Sequence, residues 1–271
     1  MYFYGETDQY YDQFYEPYAG YNAPIVAIPG NHDGEVKTKA DDPSLSAYLD
    51  NFCARKAVVP PQAAGSGIYR ETMTEPGAYW LLDAPFVQII GLYSNLLESP
   101  GYLQAITKGK PDTSQLDWLD KTLGSIAKSN QKKALVIATH HPPYSQSGHA
   151  GSVEMNQSID AACAKAGVWP DLFLSAHAHN YQRYTRRIAG KQIVYIVVGT
   201  GGMPHQAVKS ATGQPADSSH QVTYDAAIST YGYLFVTVSV KQLSIEFWQL
   251  GDEHDKAFDP IVIDLLTHTL K

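Results

Sequence analysis

The sequence predicts a layered α/β fold, and three observations carry that prediction. Between about Ser114 and Leu174 helical and strand periodicities alternate, as they do when helices pack over a sheet. Beyond Arg183 the chain turns to consecutive strand-like runs, the mark of a largely antiparallel sheet. Three short apolar runs each discharge into a polar, histidine-bearing cluster, and the carboxyl ends of strands are where open α/β sheets place their chemistry.

The elements follow in order. Tyr2, Phe3, Tyr4, Tyr10, Tyr11, Phe14, Tyr15, Tyr18 and Tyr21 crowd aromatics into the opening. Thr7 is placed to cap a short helix in which Tyr10, Tyr11, Phe14 and Tyr15 share a face, with Pro17 limiting it. Ile25 to Ile28 reads as a short buried strand ending in Pro29-Gly30-Asn31-His32-Asp33-Gly34. Asp42 and Pro43 give the cap and first-turn signal of a helix with Leu45, Tyr48, Leu49, Phe52 and Cys53 on one face. A loop from Pro60 to Gly67 precedes two strands, Ala78 to Leu82 and Phe86 to Ile90, joined through Asp83-Ala84-Pro85. A helix from about Ser114 to Lys128 turns Leu116, Leu119, Leu123 and Ile126 inward.

The strand Ala134 to Ala138 ends in Thr139-His140-His141-Pro142-Pro143-Tyr144-Ser145, with His149 close behind. A helix near Met155 to Ala166 leads to a strand from Asp171 that delivers His177 and His179. Strands at Arg183 to Ile188, Ile193 to Val198, Leu234 to Val240, Leu243 to Leu250 and from Ile261 are assigned together to a second sheet. Gly199-Thr200-Gly201-Gly202 is followed by Met203-Pro204 instead of a helix start, so it is taken as a tight turn and not as a dinucleotide fingerprint. Gln206 to Ser229 reads as a polar rim loop.

With 271 residues the chain is long enough to bury a sizeable core, and one domain over 1–271 is expected. Its formal net charge of -7 argues against a generic nucleic-acid or anionic-membrane surface. The dense basic run Arg183, Arg186, Arg187 and Lys191 is read as a solvated strand and turn. Cys53 and Cys163 are too few for a disulfide scaffold or a cysteine zinc knuckle, leaving one pairing or none. No run has the length of a transmembrane helix.

In an extended segment residues two apart point to the same side, so His177 and His179 are expected to address one volume. A lone His-x-His is more often a pair of surface histidines. Here Asn31-His32-Asp33 and His140-His141 arrive at neighbouring strand ends, and convergence becomes the economical reading. Neutral imidazole and an amide oxygen suit zinc, iron or manganese, and the absence of clustered thiols points away from a structural zinc site.

On these residues the chain resembles the calcineurin-like metallophosphoesterases, in particular the purple acid phosphatase-like branch. Gly30-Asn31-His32-Asp33, His140-x-Pro142-x-Tyr144 and His177-x-His179-x-Tyr181-x-Arg183 match the family's last three motif blocks in order. The resemblance implies a two-sheet sandwich flanked by helices in four α/β/β/α layers, with two transition-metal ions, Fe, Zn or Mn, at the strand ends. It implies a phosphatase that hydrolyses a small phosphate ester by attack of a metal-activated water. Asn31, His140 and His177 then correspond to ligands of one metal and His179 to a ligand of the other. His32, braced by Asp33, corresponds to the group that contacts phosphate and assists the leaving group, and His149 to a further phosphate-facing histidine. His141 is left to packing, and Ala176 replaces the family's usual glycine. The branch is often exported, which makes a secreted or periplasmic place the expectation for a complete protein.

The family's first two blocks supply an aspartate on the first metal and the aspartate that bridges both, and neither block is present in the sequence. Met1-Tyr2-Phe3-Tyr4 resembles the interior of the second block, so the expectation is a domain truncated at its amino terminus, holding at most one metal, with an unpaired sheet edge. The alternative is a form that keeps the scaffold and binds phosphate or a single metal without turnover. Asp8 and Asp12 are read as solvated helix surface. A metallo-β-lactamase-like hydrolase needs a further aspartate and histidine where Asn180-Tyr181 stands, and no Gly-x-Ser-x-Gly elbow supports a serine hydrolase.

Overall fold

A computed structural model describes residues 5–34, 45–53, 56, 58–64, 75–94, 100–107, 110–129, 132–210, 213–251 and 257–271. The aromatic opening forms a 3-10 turn at Thr7–Gln9 and a π-helical turn at Tyr11–Tyr15. Short helices follow at α1 (Asn31–Gly34), α2 (Ser46–Phe52) and α3 (Pro61–Ala64). Tyr10, Tyr15, Tyr48 and Phe52 close into one buried cluster, with Phe14 edge-on to Phe52 at 5.1 Å.

Next come the hairpin β1 (Trp80–Asp83) and β2 (Val87–Gly91), and a small ribbon of β3 (Ala105–Thr107) and β4 (Lys110–Asp112). The alternating middle is α4 (Ser114–Lys128), β5 (Ala134–Ala138), α5 (Val153–Ala166) and β6 (Leu172–Ser175). The rest is strand: β7 (Tyr181–Ile188), β8 (Lys191–Val198), β9 (Gln214–Asp217), β10 (Val222–Ile228), β11 (Gly232–Val238), β12 (Gln242–Gln249), β13 (Phe258–Asp264) and β14 (Thr269–Leu270).

An eight-stranded sheet runs β1-β2-β5-β6-β8-β7-β10-β9, and a four-stranded sheet runs β11-β12-β13-β14. Alternation along the central strands shows how the layers stack. On β8, Ile193, Tyr195 and Val197 face a core shared with Leu119 and Leu123 of α4 and Met155 and Ile159 of α5. Val194 and Ile196 face the opposite core, shared with Leu243, Ile245 and Phe247 of β12 and with Ile261 and Ile263 of β13. A strand buried on both faces carries a continuous apolar run, which Ile193-Val194-Tyr195-Ile196-Val197 is. The result is the metallophosphoesterase-type mixed α/β architecture. β2, β5, β6 and β8 pair in parallel, so Gly91, Ala138, Ser175 and Val198 end along one edge.

Several expectations are corrected. The strands after Arg183 do not form one sheet: β7 to β10 extend the first sheet, because Arg183 pairs with Ile196 of β8, and only β11 to β14 make the second. The presumed rim loop from Gln206 to Ser229 contains β9 and β10, whose polar residues ride an edge of the sheet. Pro61–Ala64 is a helical turn within the expected loop. The basic run is only partly solvated: Arg187 is exposed, but Arg186 is 2% exposed and grips Asp160 through both terminal nitrogens, at 2.8 and 2.7 Å.

Ile25 to Ile28 is not a strand. Side chains replace a ladder there: Glu75 Oε1 accepts from the Ala27 amide at 2.7 Å, and Trp80 Nε1 donates to the Ala27 carbonyl at 2.8 Å. The expected cap at Asp42 and Pro43, and Tyr2, Phe3 and Tyr4, lie outside the described residues. Cys53 and Cys163 are both free thiols. No helix among the described residues is long and apolar enough to cross a membrane.

Candidate metal centre

The parallel strand ends assemble the histidines. β5 stops at Ala138 and the chain reaches His140 two residues on, while β6 stops at Ser175 and reaches His177. The link between them is a backbone bond from the Ala176 amide to the His140 carbonyl at 2.9 Å. Asn31 comes from α1, whose turn is set by Asp33: its carboxylate accepts from the Tyr10 hydroxyl at 2.8 Å and the Gly30 amide at 2.7 Å. Gly30 lets the His140 ring approach closely, since a Cβ there would stand 3.0 Å from the ring and push it aside.

The histidine pair does not lie on a strand as expected. His177 has a φ of 59°, in the left-handed region. The Ala178 amide bonds the Ala176 carbonyl at 2.7 Å and the Asn180 amide bonds the Ala178 carbonyl at 2.8 Å, giving two successive tight turns. The turns, not a strand pleat, present both rings. A β-unbranched residue in that conformation costs about 1–2 kcal/mol, a strain of the kind that collects at functional sites. Ala176 is not itself in the left-handed region, so the family's glycine is not required there. Gly199 is required: a Cβ would sit 2.2 Å from the Ala178 carbonyl oxygen, which explains the glycine turn beside the site.

Asn31 Oδ1 lies 2.8 Å from His140 Nε2, which lies 3.1 Å from His177 Nδ1. Donors about 2.0–2.2 Å from one transition-metal ion stand roughly 2.9–3.5 Å apart, so this trio is close to the spacing of a shared ion. Burial, then the neighbouring His177, His141, His32 and His179, push His140 well below the ordinary histidine range, keeping its ring neutral as a ligand must be. Among the described residues no three His, Cys, Asp or Glu side chains share a metal-sized volume. The trio therefore fits one ion through two imidazoles and an amide, and a carboxylate-bridged pair of ions does not fit the described donors.

His141 packs beneath: it is 1% exposed, holds Ser94 Oγ at 2.8 Å and lies 4.3 Å from the His177 ring centre. His149 lies 4.3 Å from His177 and 5.6 Å from His179, between ring centres. His179 Nδ1 lies 3.2 Å from the Pro204 carbonyl oxygen, an acceptor only, so Nδ1 is the donor of that bond. His32 is half-buried on α1. Ser94, Tyr10 and Gln182 were missed as supports. Ser94 follows β2, and the rule about carboxyl strand ends that found the histidines applies to it equally.

An eight-stranded sheet covered by α4 and α5, a four-stranded sheet on its other face, and an amide and imidazoles at the carboxyl edge of the larger sheet make a fold of the metallophosphoesterase type. The calcineurin-like phosphoesterase family model matches residues 3–181, more than half of the chain, and the chain belongs to that family. No curated protein matches it. Among solved structures it is similar to "GAP50 the anchor in the inner membrane complex of Plasmodium", with 15% identity and a TM-score of 0.49 over 93% of this chain and 82% of that one. It is also similar to PhoD, with 12% identity and a TM-score of 0.45 over 72% of this chain and 43% of that one.

Proposed function

We propose that the chain hydrolyses small phosphate esters at a metal held by Asn31, His140 and His177. The approach of Asn31 Oδ1, at 2.8 Å, and His177 Nδ1, at 3.1 Å, to His140 Nε2 carries the reading. When bound there, the ion supplies Lewis acidity toward a phosphoryl oxygen and an acidified water. The chain's part is placement. Asp33 fixes the turn that bears Asn31 and His32, and His32 contacts the phosphate and gives a proton to the leaving oxygen, a role of about a hundredfold in rate. His149, whose ring centre lies 4.3 Å from that of His177, is read as a further phosphate-facing group. A cavity of about 300 Å³ borders the same loop, lined by Tyr144, Ser145, Gln146, Asn156, Asp217 and His220, and has room for the organic part of a small ester.

A second reading has its own support in the lack of a carboxylate among the described donors: the scaffold holds one ion and phosphate without turnover. Elemental analysis after zinc, manganese or iron loading, paired with p-nitrophenyl phosphate turnover, decides between them. Metal-dependent turnover lost in Asn31→Ala and His140→Ala supports hydrolysis, and an ion lost in the same variants without any turnover supports the second reading. Metal uptake unchanged in both variants overturns the site itself.

A further inference from the structure

We propose that the cavity between the loop after β5, helix α5 and the turn joining β9 to β10 is a binding site for a neutral, hydroxyl-rich group, a sugar or a polyol. Taken with the hydrolysis proposed above, this makes the organic half of the ester a sugar or polyol. That second step rests on the hydrolytic reading, and the binding site itself does not.

The cavity holds about 300 Å³, at the lower end of the small-molecule range. Its chemistry starts from two side chains on its wall. Asn156 of α5 is 8% exposed, and its Nδ2 donates to the Tyr144 hydroxyl at 3.0 Å. Among the described residues Asn156 Oδ1 has no hydrogen-bond partner, and the Tyr144 proton has no acceptor. A buried amide oxygen is costly to leave bare, so the position calls for a partner. That partner has to give a proton to Oδ1 and take one from Tyr144. A hydroxyl does both, whereas an ammonium accepts nothing and an ionised phosphate or carboxylate donates nothing. Turned about, the amide takes the Tyr144 proton on Oδ1 and leaves its Nδ2 protons unspent, and a hydroxyl answers those equally.

The rest of the wall selects against charge. It carries Asp160 and Asp217 with no lysine or arginine, which disfavours an anion. Both carboxylates are already engaged, which weakens the pull on a free cation. Arg186 donates to the two oxygens of Asp160 at 2.8 and 2.7 Å, and Asp217 Oδ2 lies 2.6 Å from His220 Nδ1. Each Asp160 oxygen keeps a further lone pair, and the side chain is 23% exposed, so it offers two adjacent acceptors to neighbouring hydroxyls. Gln157, exposed on the same helix, adds a second amide. An uncharged ligand bearing several hydroxyls fits this set.

Saturation-transfer NMR and calorimetry with D-glucose and with sorbitol, on the whole chain without added metal, test the site. Saturable binding of at least one of them is expected. It should weaken at least tenfold in Asn156→Leu, which has the amide's size without its polar atoms, and in Gln157→Trp, which crowds the cavity from an exposed helix position. Circular dichroism reports the fold, and Gln157→Trp decides the matter where Asn156→Leu fails to fold. No saturable binding by the wild type assigns Asn156 and Tyr144 to water alone and overturns the proposal, as does an affinity unchanged in both variants. With metal loaded, the ratio of kcat/KM for glucose 6-phosphate to that for p-nitrophenyl phosphate should fall at least tenfold in the same variants, through KM. Glucose binding with an unchanged ratio supports the site and overturns its assignment to the ester. A chain that binds glucose and turns over neither ester sinks the hydrolytic reading and leaves the cavity's ligand standing.

Discussion

Glu75 holds a buried carboxyl against the stem of the Gly30-Asn31-His32-Asp33 turn. It is 4% exposed, and burial pushes it up to about 7, against the Ala27 and Tyr48 hydrogen bonds that lower it. The Tyr48 hydroxyl lies 2.9 Å from both Glu75 Oε2 and the Ala27 carbonyl but has one proton to give. A protonated Glu75 donates to Tyr48 and lets Tyr48 donate to Ala27, so every group is satisfied. Below the ordinary glutamate value near 4.5 both folded and unfolded chains carry that proton, and the stabilisation is whole. As pH rises from about 4.5 to about 7 the unfolded chain has released its proton while the folded chain still holds it, so stability falls, and above about 7 it levels off. Glu75→Gln keeps both bonds without a charge to bury. Urea denaturation should find the variant close to wild type at pH 5 and about 1–3 kcal/mol more stable at pH 8. Parallel behaviour at both pH values would sink this account.

At the scale of elements, β7 shows how a motif can serve the scaffold as well as the site. Arg183 binds Asp259 of β13 through Nε at 2.6 Å and a terminal nitrogen at 2.9 Å, and reaches Asp225 of β10 at 3.0 Å. Tyr181 donates to the same Asp259 at 2.8 Å and stacks on Phe247 at 4.5 Å. The residues that follow His179 therefore pin the histidine turn's strand to the second sheet. Both ion pairs are mostly shielded, with side-chain exposures of 13% and 17% at most. Asp259→Ala leaves the guanidinium with Asp225 alone and should cost about 2–4 kcal/mol, while Asp259→Asn should cost less. Chemical denaturation measures both, and equal losses would argue against a charge-assisted clamp.

For the whole molecule, stability rests on the core between the sheets. Phe247 is fully buried there among Leu243, Ile245, Ile261 and Ile263. Phe247→Ala should cost about 3–5 kcal/mol and lower the thermal midpoint, because a rigid two-sheet core collapses poorly around a lost ring. On the outer face of that sheet, Tyr233 and Phe235 are 56% and 57% exposed. A substitution such as Phe235→Ser should leave the midpoint almost unchanged, and a drop as large as that of Phe247→Ala would show the face to be covered in solution.

Much of this was legible in the chain because it is written locally. The helices Ser114–Lys128 and Val153–Ala166 and the strands Ala134–Ala138 and Lys191–Val198 carry their own periodicity, and periodicity survives any tertiary context. The candidate donors His140, His177 and His179 were legible because they follow runs that end at the sheet's carboxyl edge, whereas Asn31 follows Ile25 to Ile28, which is not a strand. Tertiary structure alone decided which sheet β7 to β10 would join, because an antiparallel strand reads the same on either side of a sandwich. It also decided that Ile25 to Ile28 is held by Glu75, Tyr48 and Trp80 in place of a ladder, through residues distant in sequence. And it placed His177 in a left-handed turn, where the strand rule would have alternated it correctly for the wrong reason. Spacing along a chain fixes what a segment can become, while the partner that satisfies its backbone is chosen only when the layers meet.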